Sequence, residues 1–147
     1  MNKNNILFLG ILIFLLSSCE EKEDNIYEDG NYYAETLEYS YGWKAFLEVE
    51  ISDDAFSKVN FDYVDMKGNL KSETNSDTYS MEPHPVVWLP QYEELLIASS
   101  ISPEFEGVDA ISGATGSGNN LQLLAEAVLE AAKIGDTSKQ IVDVTEK

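Results

Sequence analysis

Residues 43–51 read Trp-Lys-Ala-Phe-Leu-Glu-Val-Glu-Ile, a stretch in which apolar side chains at the odd positions alternate with charged ones. A period of two places the two sets on opposite faces of a β-strand, so this stretch predicts a strand with one face on a core. Phe46 departs from the alternation and places an aromatic ring on the other face. After a turn at residues 52–54, a second alternating run covers residues 59–63. The two runs together predict an antiparallel hairpin or meander.

The segments on either side extend this pattern. Upstream, Asp29 and Gly30 predict a turn that opens the domain, and residues 32–37 predict a first strand. Downstream, residues 67–69 read Lys-Gly-Asn and predict the turn that ends the third strand.

The middle of the chain is less regular, and it predicts helices joined by loops. Residues 75–81 predict a short helix, which the prolines that follow must end. A second helix is predicted to start near Pro90, because Glu93 and Glu94 in its first turn would suit the helix dipole. Residues 100–108 then predict a loop.

The C-terminal part predicts one long amphipathic helix. Apolar residues recur at helical spacing between residues 121 and 132, and Gly135 is a natural stop. Ser117 or Asn119 is predicted to cap the start of this helix. The tail, residues 137–147, is polar with a weak apolar patch, so it predicts either an edge strand or a disordered end.

Between the loop and this helix, residues 109–115 read Asp-Ala-Ile-Ser-Gly-Ala-Thr. A threonine at the mouth of a helix can carry a phosphate group, because free N–H groups and the helix dipole stabilise negative charge there. The chain has no arginine to bind a phosphate bidentately, so the helix N-terminus is the obvious source of donors. Gly113, Gly116 and Gly118 let the backbone approach a bulky group. The alternative is a plain Gly/Ser loop that leads into a capped helix.

This run resembles the flavinylation motif of the covalent FMN-binding domain family, which reads Asp, two variable residues, Ser or Thr, Gly, Ala and Thr. The resemblance implies that a flavin transferase joins the phosphate of FMN to the hydroxyl of Thr115. The neighbouring positions that it implies for cofactor binding are Asp109, Ser112, Gly113, Ala114, Gly116 and Ser117. Many lipoprotein members have His or Ile after the threonine, whereas Gly116 follows here, so the local hydrogen-bond donors differ.

The resemblance covers most of a predicted domain at residues 29–136. Residues 29–32 read Asp-Gly-Asn-Tyr and are similar to the opening of small FMN-binding domains. Four further segments are similar to the lipoprotein branch of the family: residues 42–44, 59–63, 71–73 and 79–81. Related domains occur in the C and G subunits of sodium-pumping and ferredoxin-linked membrane reductases, and in lipoproteins of flavin-based extracellular electron transfer. The implied fold is α+β, a curved antiparallel sheet with packed helices in a single small FMN-binding domain.

The N-terminus predicts export. Residues 1–18 hold a short polar start and an apolar run that is too short for a comfortable membrane span, as in a secretory signal peptide. Residues 16–19 read Leu-Ser-Ser-Cys and resemble the lipobox of bacterial lipoproteins. This resemblance implies cleavage before Cys19 and lipidation of that residue, and at about 0.8 kcal/mol per buried CH₂ several acyl chains give a lasting anchor. The alternative is an incidental cysteine; with no second cysteine, an intrachain disulfide is excluded.

The net negative charge of the chain disfavours some classes of binding partner. Without residues 1–18 the chain holds 8 lysines against 27 acids, a formal charge of −19, which disfavours nucleic acid and anionic lipid headgroups as partners. Residues 19–28 form an acidic tether, and its acidic run also resembles the export signal for the outer face of the outer membrane in some Gram-negative lipoproteins. The predicted location is therefore extracytoplasmic and lipid-anchored to a bacterial membrane, at the periplasmic or the cell-surface side.

The residues predict an electron carrier rather than an enzyme with its own substrate. His84 is the only histidine, and the sequence presents no nucleophile–His–acid set. A redox partner protein or quinone reductase with a basic patch is the expected partner. Trp43 and Tyr41 are the candidates for contact with the flavin ring and Met81 for packing nearby, although packing is the commoner role of such residues. The alternative function is a surface-exposed structural or binding lipoprotein with an unused motif.

Overall fold

The structure, a computed structural model, describes residues 24–145. The predicted signal peptide at residues 1–18, the lipidation at Cys19 and the start of the acidic tether lie outside the described residues. Within residues 24–145, no helix combines the length and the apolar character that crossing a bilayer requires.

A four-stranded sheet lies at the centre of an α+β fold, with the strand order β3-β2-β1-β4. The strands are β1 (Gly30–Thr36), β2 (Trp43–Ser52), β3 (Ala55–Asp65) and β4 (Gln140–Val142). The first three are antiparallel neighbours, as the alternating pattern predicts. The tail forms an edge strand, β4, which runs parallel to β1. The sheet is therefore mixed: the predicted antiparallel arrangement is confirmed for β1, β2 and β3, and β4 adds one parallel pair.

The two faces of the sheet follow the period of two along β2. Ala45, Leu47, Val49 and Ile51 are buried on the inner face. On the outer face Phe46 stacks on Tyr33, with ring centroids 6.1 Å apart. Charged side chains there form ion pairs across strands, such as Lys44 with Glu35 at 3.3 Å. The outer face thus meets solvent, and the inner face holds the core.

A tight turn joins β2 to β3, and one of its side chains forms hydrogen bonds with the first residues of the domain. Asp53 and Asp54 both have positive φ, as the tight turns of hairpins require. The carboxylate of Asp54 accepts hydrogen bonds from the backbone N–H groups of Ile26 (3.0 Å) and Tyr27 (2.9 Å). Tyr27 is buried in the core. The packed part of the domain therefore begins slightly before the predicted boundary at residue 29.

Two helices cover the inner face of the sheet: α1 (Pro85–Ala98) and α2 (Thr115–Ala132). Helix α1 packs against β3, and α2 packs against β1 and β2. Between sheet and helices lies the core, whose fully buried members include Leu47, Ile51, Phe61, Tyr92, Leu96, Ile101, Leu121, Leu124 and Val128. After α2, Gly135 ends the helical turn as predicted, and the N–H of Asp136 bonds to the carbonyl of Ala131 at 2.9 Å.

Helix α1 begins at Pro85, so the prediction of a start near Pro90 is wrong. Proline is favoured at the first helical position because the N–H it lacks would have no partner there. Nδ1 of His84 accepts a hydrogen bond from the N–H of Val86 at 3.3 Å and caps this end. Pro90 lies inside the helix, and both Pro90 and Val86 are exposed. Water can therefore bond the carbonyl of Val86, which the missing amide of Pro90 leaves unpaired.

The earlier start changes the role of Glu93, which was predicted to be a first-turn charge. It lies in the middle of α1, and its Oε1 accepts a hydrogen bond from the N–H of Phe61 at 2.9 Å. Phe61 belongs to β3, which is an edge strand of the sheet formed by residues 24–145, so its outward N–H groups face no other strand there. Glu93 therefore satisfies an edge amide, and burial raises the pKa of its carboxyl.

The predicted helix at residues 75–81 is also wrong, since the segment forms turns. The carbonyl of Asn75 accepts hydrogen bonds from the N–H groups of Thr78 (3.0 Å) and Tyr79 (2.8 Å). The side-chain oxygen of Asn75 accepts another from the N–H of Asp77 at 3.0 Å. Short polar side chains compete with helix formation in this way. The helical element nearby is a 3-10 turn at Lys71–Glu73, which precedes this segment.

Candidate functional site

Thr115 is the first residue of α2, and its side chain is exposed. Ala114 is the N-cap residue and has no side-chain acceptor, and the helix start has no side-chain cap among the described residues. The prediction that Ser117 or Asn119 caps the helix is wrong, because both lie inside it. The N-terminus of α2 is therefore open to an external anion beside the Thr115 hydroxyl.

A β-turn leads the chain into α2. The N–H of Ala114 donates to the carbonyl of Ile111 at 2.9 Å, and the third residue of this turn, Gly113, has a φ of 83°. This conformation is typical of a type II turn, which favours glycine at that position. A Cβ on Gly113 would also lie 2.5 Å from Cδ of Pro83. Both the backbone and the neighbouring loop therefore require a residue without a side chain at position 113.

The hydroxyl of Tyr92 holds this turn from the core side. It donates to the carbonyl of Ala114 at 2.9 Å and accepts from the N–H of Ile111 at 3.0 Å. Tyr92 is fully buried. A Cβ on Gly118 would lie 2.6 Å from the same hydroxyl, so this glycine makes room for Tyr92. One buried side chain of α1 thus fixes both ends of the turn before Thr115.

One helical turn earlier on α1, Trp88 holds the second loop of the site. Its Nε1 donates to the carbonyl of Pro83 at 3.0 Å. Because Pro83 lies against Gly113, the loop around residue 83 and the turn before Thr115 are neighbours. Residues 88 and 92 are one turn apart and face the same side of the helix. Helix α1 therefore positions both loops with two aromatic side chains.

Tyr63 links β3 to the first turns of α2. Its hydroxyl accepts a hydrogen bond from Nδ2 of Asn120 at 3.2 Å, and Ser117 lies beside it. Burial raises the pKa of Tyr63 to about 12, against the opposing effect of the polar contacts from Ser117 and Asn120. The phenol therefore stays protonated at neutral pH, and it remains a hydrogen-bonding group at the edge of the site.

Lys71 lies among three aromatic rings next to Tyr63. Its Nζ is 3.9 Å from the ring centroid of Tyr63, 5.1 Å from that of Trp43 and 5.3 Å from that of Tyr79. The residue is only 7% exposed, and within residues 24–145 its Nζ forms no ion pair. Burial lowers the pKa of Lys71 to about 8, while the charge of Asp62 acts in the opposite direction. We call these four residues, Lys71 with Tyr63, Trp43 and Tyr79, the lysine cluster.

The three residues that the sequence suggested for contact with the flavin ring differ in their burial and contacts. Trp43 belongs to the lysine cluster, and its ring lies edge-on to that of Tyr79 at 6.5 Å. Tyr41 lies at the tip of the turn before β2 with its side chain fully exposed. Met81 is 64% exposed, and its sulfur accepts a long contact of 3.6 Å from the Tyr79 hydroxyl. Of the three, Trp43 is the one that the fold brings to the buried part of the site.

The other motif positions differ in exposure. Asp109, Ser112, Gly113 and Gly116 are exposed, as is Thr115. Ala114 is buried and bonds to Tyr92, and Ser117 is half-buried beside Tyr63. The exposed positions are accessible to a second protein, whereas the buried ones fix the turn.

Sequence reasoning missed Tyr92, Trp88 and Lys71 as site residues. The two aromatic residues lie on α1, whose predicted start near Pro90 falls between them, so the prediction does not place them on one face of a helix. Lys71 stands in a polar run that looks like surface loop. The local sequence holds no signal that sets Lys71 apart, because most lysines of this chain also follow a residue that is not acidic.

Two surface depressions lie apart from this region. One of about 410 Å³ crosses the outer face of the sheet, along the Glu50–Lys58 ion pair. Another of about 270 Å³ lies between residues 103–105 and the C-terminal half of α2. Neither is lined by a residue of the 109–115 run.

We expect Tyr92→Phe to lower the free energy of unfolding by about 1–3 kcal/mol, because the N–H of Ile111 loses its acceptor and the carbonyl of Ala114 loses one of its donors. Urea unfolding followed by circular dichroism measures the change. Tyr39→Phe is the matched control, since Tyr39 is exposed at the surface and should change stability by less than about 0.5 kcal/mol. Equal stability of Tyr92→Phe and the parent protein would contradict the role of this hydroxyl.

Comparison with known proteins gives one structural match. The chain is 30% identical to the CPE2226 protein from Clostridium perfringens, whose crystal structure superposes with a TM-score of 0.69. The match covers 80% of this chain and 98% of the clostridial chain. No family model matches the chain, and no curated protein matches it either. The name of the clostridial protein states no ligand or activity, so the comparison bears on kinship and fold.

Proposed function

We propose that this chain, which belongs to the same family as the clostridial CPE2226 protein, is an electron-transfer flavoprotein that carries FMN covalently on Thr115. The observation that carries the proposal is the position of Thr115. Its exposed hydroxyl lies at the uncapped N-terminus of α2, directly after the Asp-Ala-Ile-Ser-Gly-Ala run that resembles the flavinylation motif.

The helix start fits a phosphodiester. The first N–H groups of α2 and the positive end of its dipole stabilise an anion next to Thr115. Ala114 supplies no side-chain acceptor that would compete for these groups. This support matters because the chain has no arginine and a formal charge of −18. Few other groups of the chain can offset the negative charge of a phosphate.

The attachment reaction needs an activated donor. The Thr115 Oγ would form a bond to the phosphorus of the FMN phosphate and lose its proton. FMN itself is a phosphate monoester with no good leaving group, so we infer that the transferase uses a flavin dinucleotide. The bond between its two phosphates breaks, and a nucleoside monophosphate leaves with the electron pair.

The surroundings of Thr115 fit the two demands of such an enzyme. The exposed side chains of Asp109, Ser112 and Thr115 offer contacts to a transferase. The Tyr92 hydroxyl holds the turn and Pro83 packs against Gly113, so the backbone that leads into Thr115 is fixed in place. A rigid presentation lowers the entropy that the transferase must remove when it binds the acceptor.

When bound, the isoalloxazine ring supplies reversible electron transfer, while the protein sets access and electronics. The aromatic rings of the lysine cluster lie next to α2 through Tyr63, and such rings offer apolar and stacking contacts to a flat ring system. His84 caps α1 and stands edge-on to Tyr79, which gives it a structural role. These features favour a carrier of electrons over an enzyme with its own substrate.

The same proposal includes a place in the cell. Cleavage before Cys19 and its lipidation would anchor the domain to a bacterial membrane on the extracytoplasmic side. A covalent bond keeps the flavin from being lost by dilution there. The expected partners are a flavin transferase, and a redox protein or quinone reductase whose basic surface complements this acidic chain.

The test is to express the full chain together with a flavin transferase and to denature the product on a gel. We expect a fluorescent band and an increase in mass that equals one FMN group less water. A dark, unmodified band under conditions in which the transferase labels another acceptor would contradict the proposal, and would favour a surface lipoprotein with an unused motif.

A further inference from the structure

Lys71 is the one buried lysine among the described residues, and no carboxylate there lies close enough to form an ion pair with its ammonium group. The other lysines with assigned ion pairs, Lys44, Lys58, Lys133 and Lys139, each have a carboxylate within 4.0 Å, whereas Lys71 has none within residues 24–145. The nearby carboxylate of Asp62 is occupied by the N–H groups of Tyr63 (2.7 Å) and Ser72 (3.1 Å) and by the Ser72 hydroxyl.

The Nζ of Lys71 also lacks a hydrogen-bond acceptor among the described residues, yet no partnerless side-chain nitrogen is fully enclosed there. The ammonium group therefore keeps some contact with solvent. Its main contacts are the faces of aromatic rings, which attract a cation but accept no hydrogen bond from it in the usual sense. A buried charge that keeps its donors free is typical of functional sites.

The lysine cluster adjoins the proposed attachment site by two routes. Tyr63 lies directly below the Lys71 ammonium, and its hydroxyl is bonded to Asn120 of α2, five residues after Thr115. Tyr79 stands edge-on to His84 at 5.9 Å, and the adjacent Pro83 lies against Gly113. Side-chain contacts through β3, the loops and α2 thus connect the region of the Lys71 ammonium with the region of Thr115.

We propose that the Lys71 ammonium faces the ring of the covalently held FMN and raises its midpoint potential. The inference rests on the proposed function. A flavin ring gains electron density on reduction, so a nearby cation stabilises the reduced state more than the oxidised state. No bond to Lys71 forms or breaks, and its ammonium keeps its proton.

The ring is a better counterpart for Lys71 than the phosphate. The phosphate is tied to Thr115, where the N-terminus of α2 already supplies donors. Lys71 instead lies among apolar ring faces, in a partly dehydrated setting that also suits an isoalloxazine ring. Electrostatic effects are larger in such a setting than in water.

The test compares FMN-labelled parent protein with labelled Lys71→Met. Methionine has similar length and volume without the charge, so it fills the space among the rings. We expect the equilibrium constant for two-electron reduction of the flavin to fall at least about tenfold in Lys71→Met, which corresponds to a midpoint potential lower by about 30 mV or more. Spectroelectrochemical titration measures the potential, and Lys71→Arg, which keeps the charge, should restore most of it.

Lys67→Met is the matched control, because Lys67 lies exposed in the turn after β3 and its loss changes the net charge equally. Its potential should equal that of the parent protein. An unchanged midpoint potential in Lys71→Met overturns the inference. This holds also when the yield of labelling falls, because a lower yield at an unchanged potential would mean that Lys71 acts on the phosphate during attachment and not on the ring. A parent protein that takes up no flavin at all overturns the proposed function, and the inference with it.

Discussion

Thr115→Ala is expected to abolish covalent flavin completely. The substitution removes the one atom, Oγ1, that the proposed phosphoester requires, and no nearby group replaces it in the same geometry. Because Thr115 is exposed, the change should alter the stability of the fold by less than about 0.5 kcal/mol. The loss of fluorescence in a denatured band, together with an unmodified intact mass, measures the effect on a protein that still folds.

Thr137→Ala is the matched control for this experiment. Thr137 is also exposed, but it lies after α2 and outside the motif. Its replacement should leave labelling at the level of the parent protein. A labelled Thr115→Ala protein would mean that another hydroxyl carries the flavin, and it would remove the observation on which the proposed function depends.

Gly113→Val is expected to reduce labelling at least about tenfold while the domain still folds. Valine is strained at a φ of 83°, at a cost of about 1–3 kcal/mol, and its Cβ would meet Cδ of Pro83 at 2.5 Å. The turn before Thr115 must therefore shift, and the hydroxyl with it. Since domains typically have about 5–15 kcal/mol of stability, the fold should survive this cost.

Gly68→Val separates backbone strain from the shift of the turn. Gly68 has a φ of 87°, and a Cβ there meets no atom within 4 Å. The variant should lose comparable stability in urea unfolding but keep its labelling. Normal labelling of a folded Gly113→Val protein would show that the geometry of the turn does not matter to the transferase.

Local patterns in the sequence predicted the three antiparallel strands well. Along β2 a buried side chain alternates with a solvent-facing one, and this repeat needs only neighbouring residues to be recognised. The same patterns failed between residues 71 and 98. There Asn75 uses its side chain to form turns, and Pro85 rather than Pro90 starts the helix. Both outcomes depend on which of several acceptable local structures the rest of the fold stabilises.

Glu93 shows why neighbouring residues alone do not predict these local structures. Its carboxylate was predicted to suit a helix dipole, yet it bonds to the N–H of Phe61, 32 residues away, on an edge strand. Only the packing of α1 against β3 brings the two groups together. The parallel pairing of β4 with β1 has the same origin, since it joins residues about 106 positions apart.

Local sequence patterns are enough to specify the strands with one buried face, the long helix that ends before Gly135, and the run that places Thr115 at the start of that helix. These features depend on residues within a few positions of one another, where backbone geometry and side-chain period act directly. Long-range packing decides which side chains hold the turn before Thr115 and which cation is buried against Tyr63. Tyr92 reaches the turn from α1, and Lys71 reaches the ring of Tyr63 from the 3-10 turn, and in both cases only long-range packing brings the groups together.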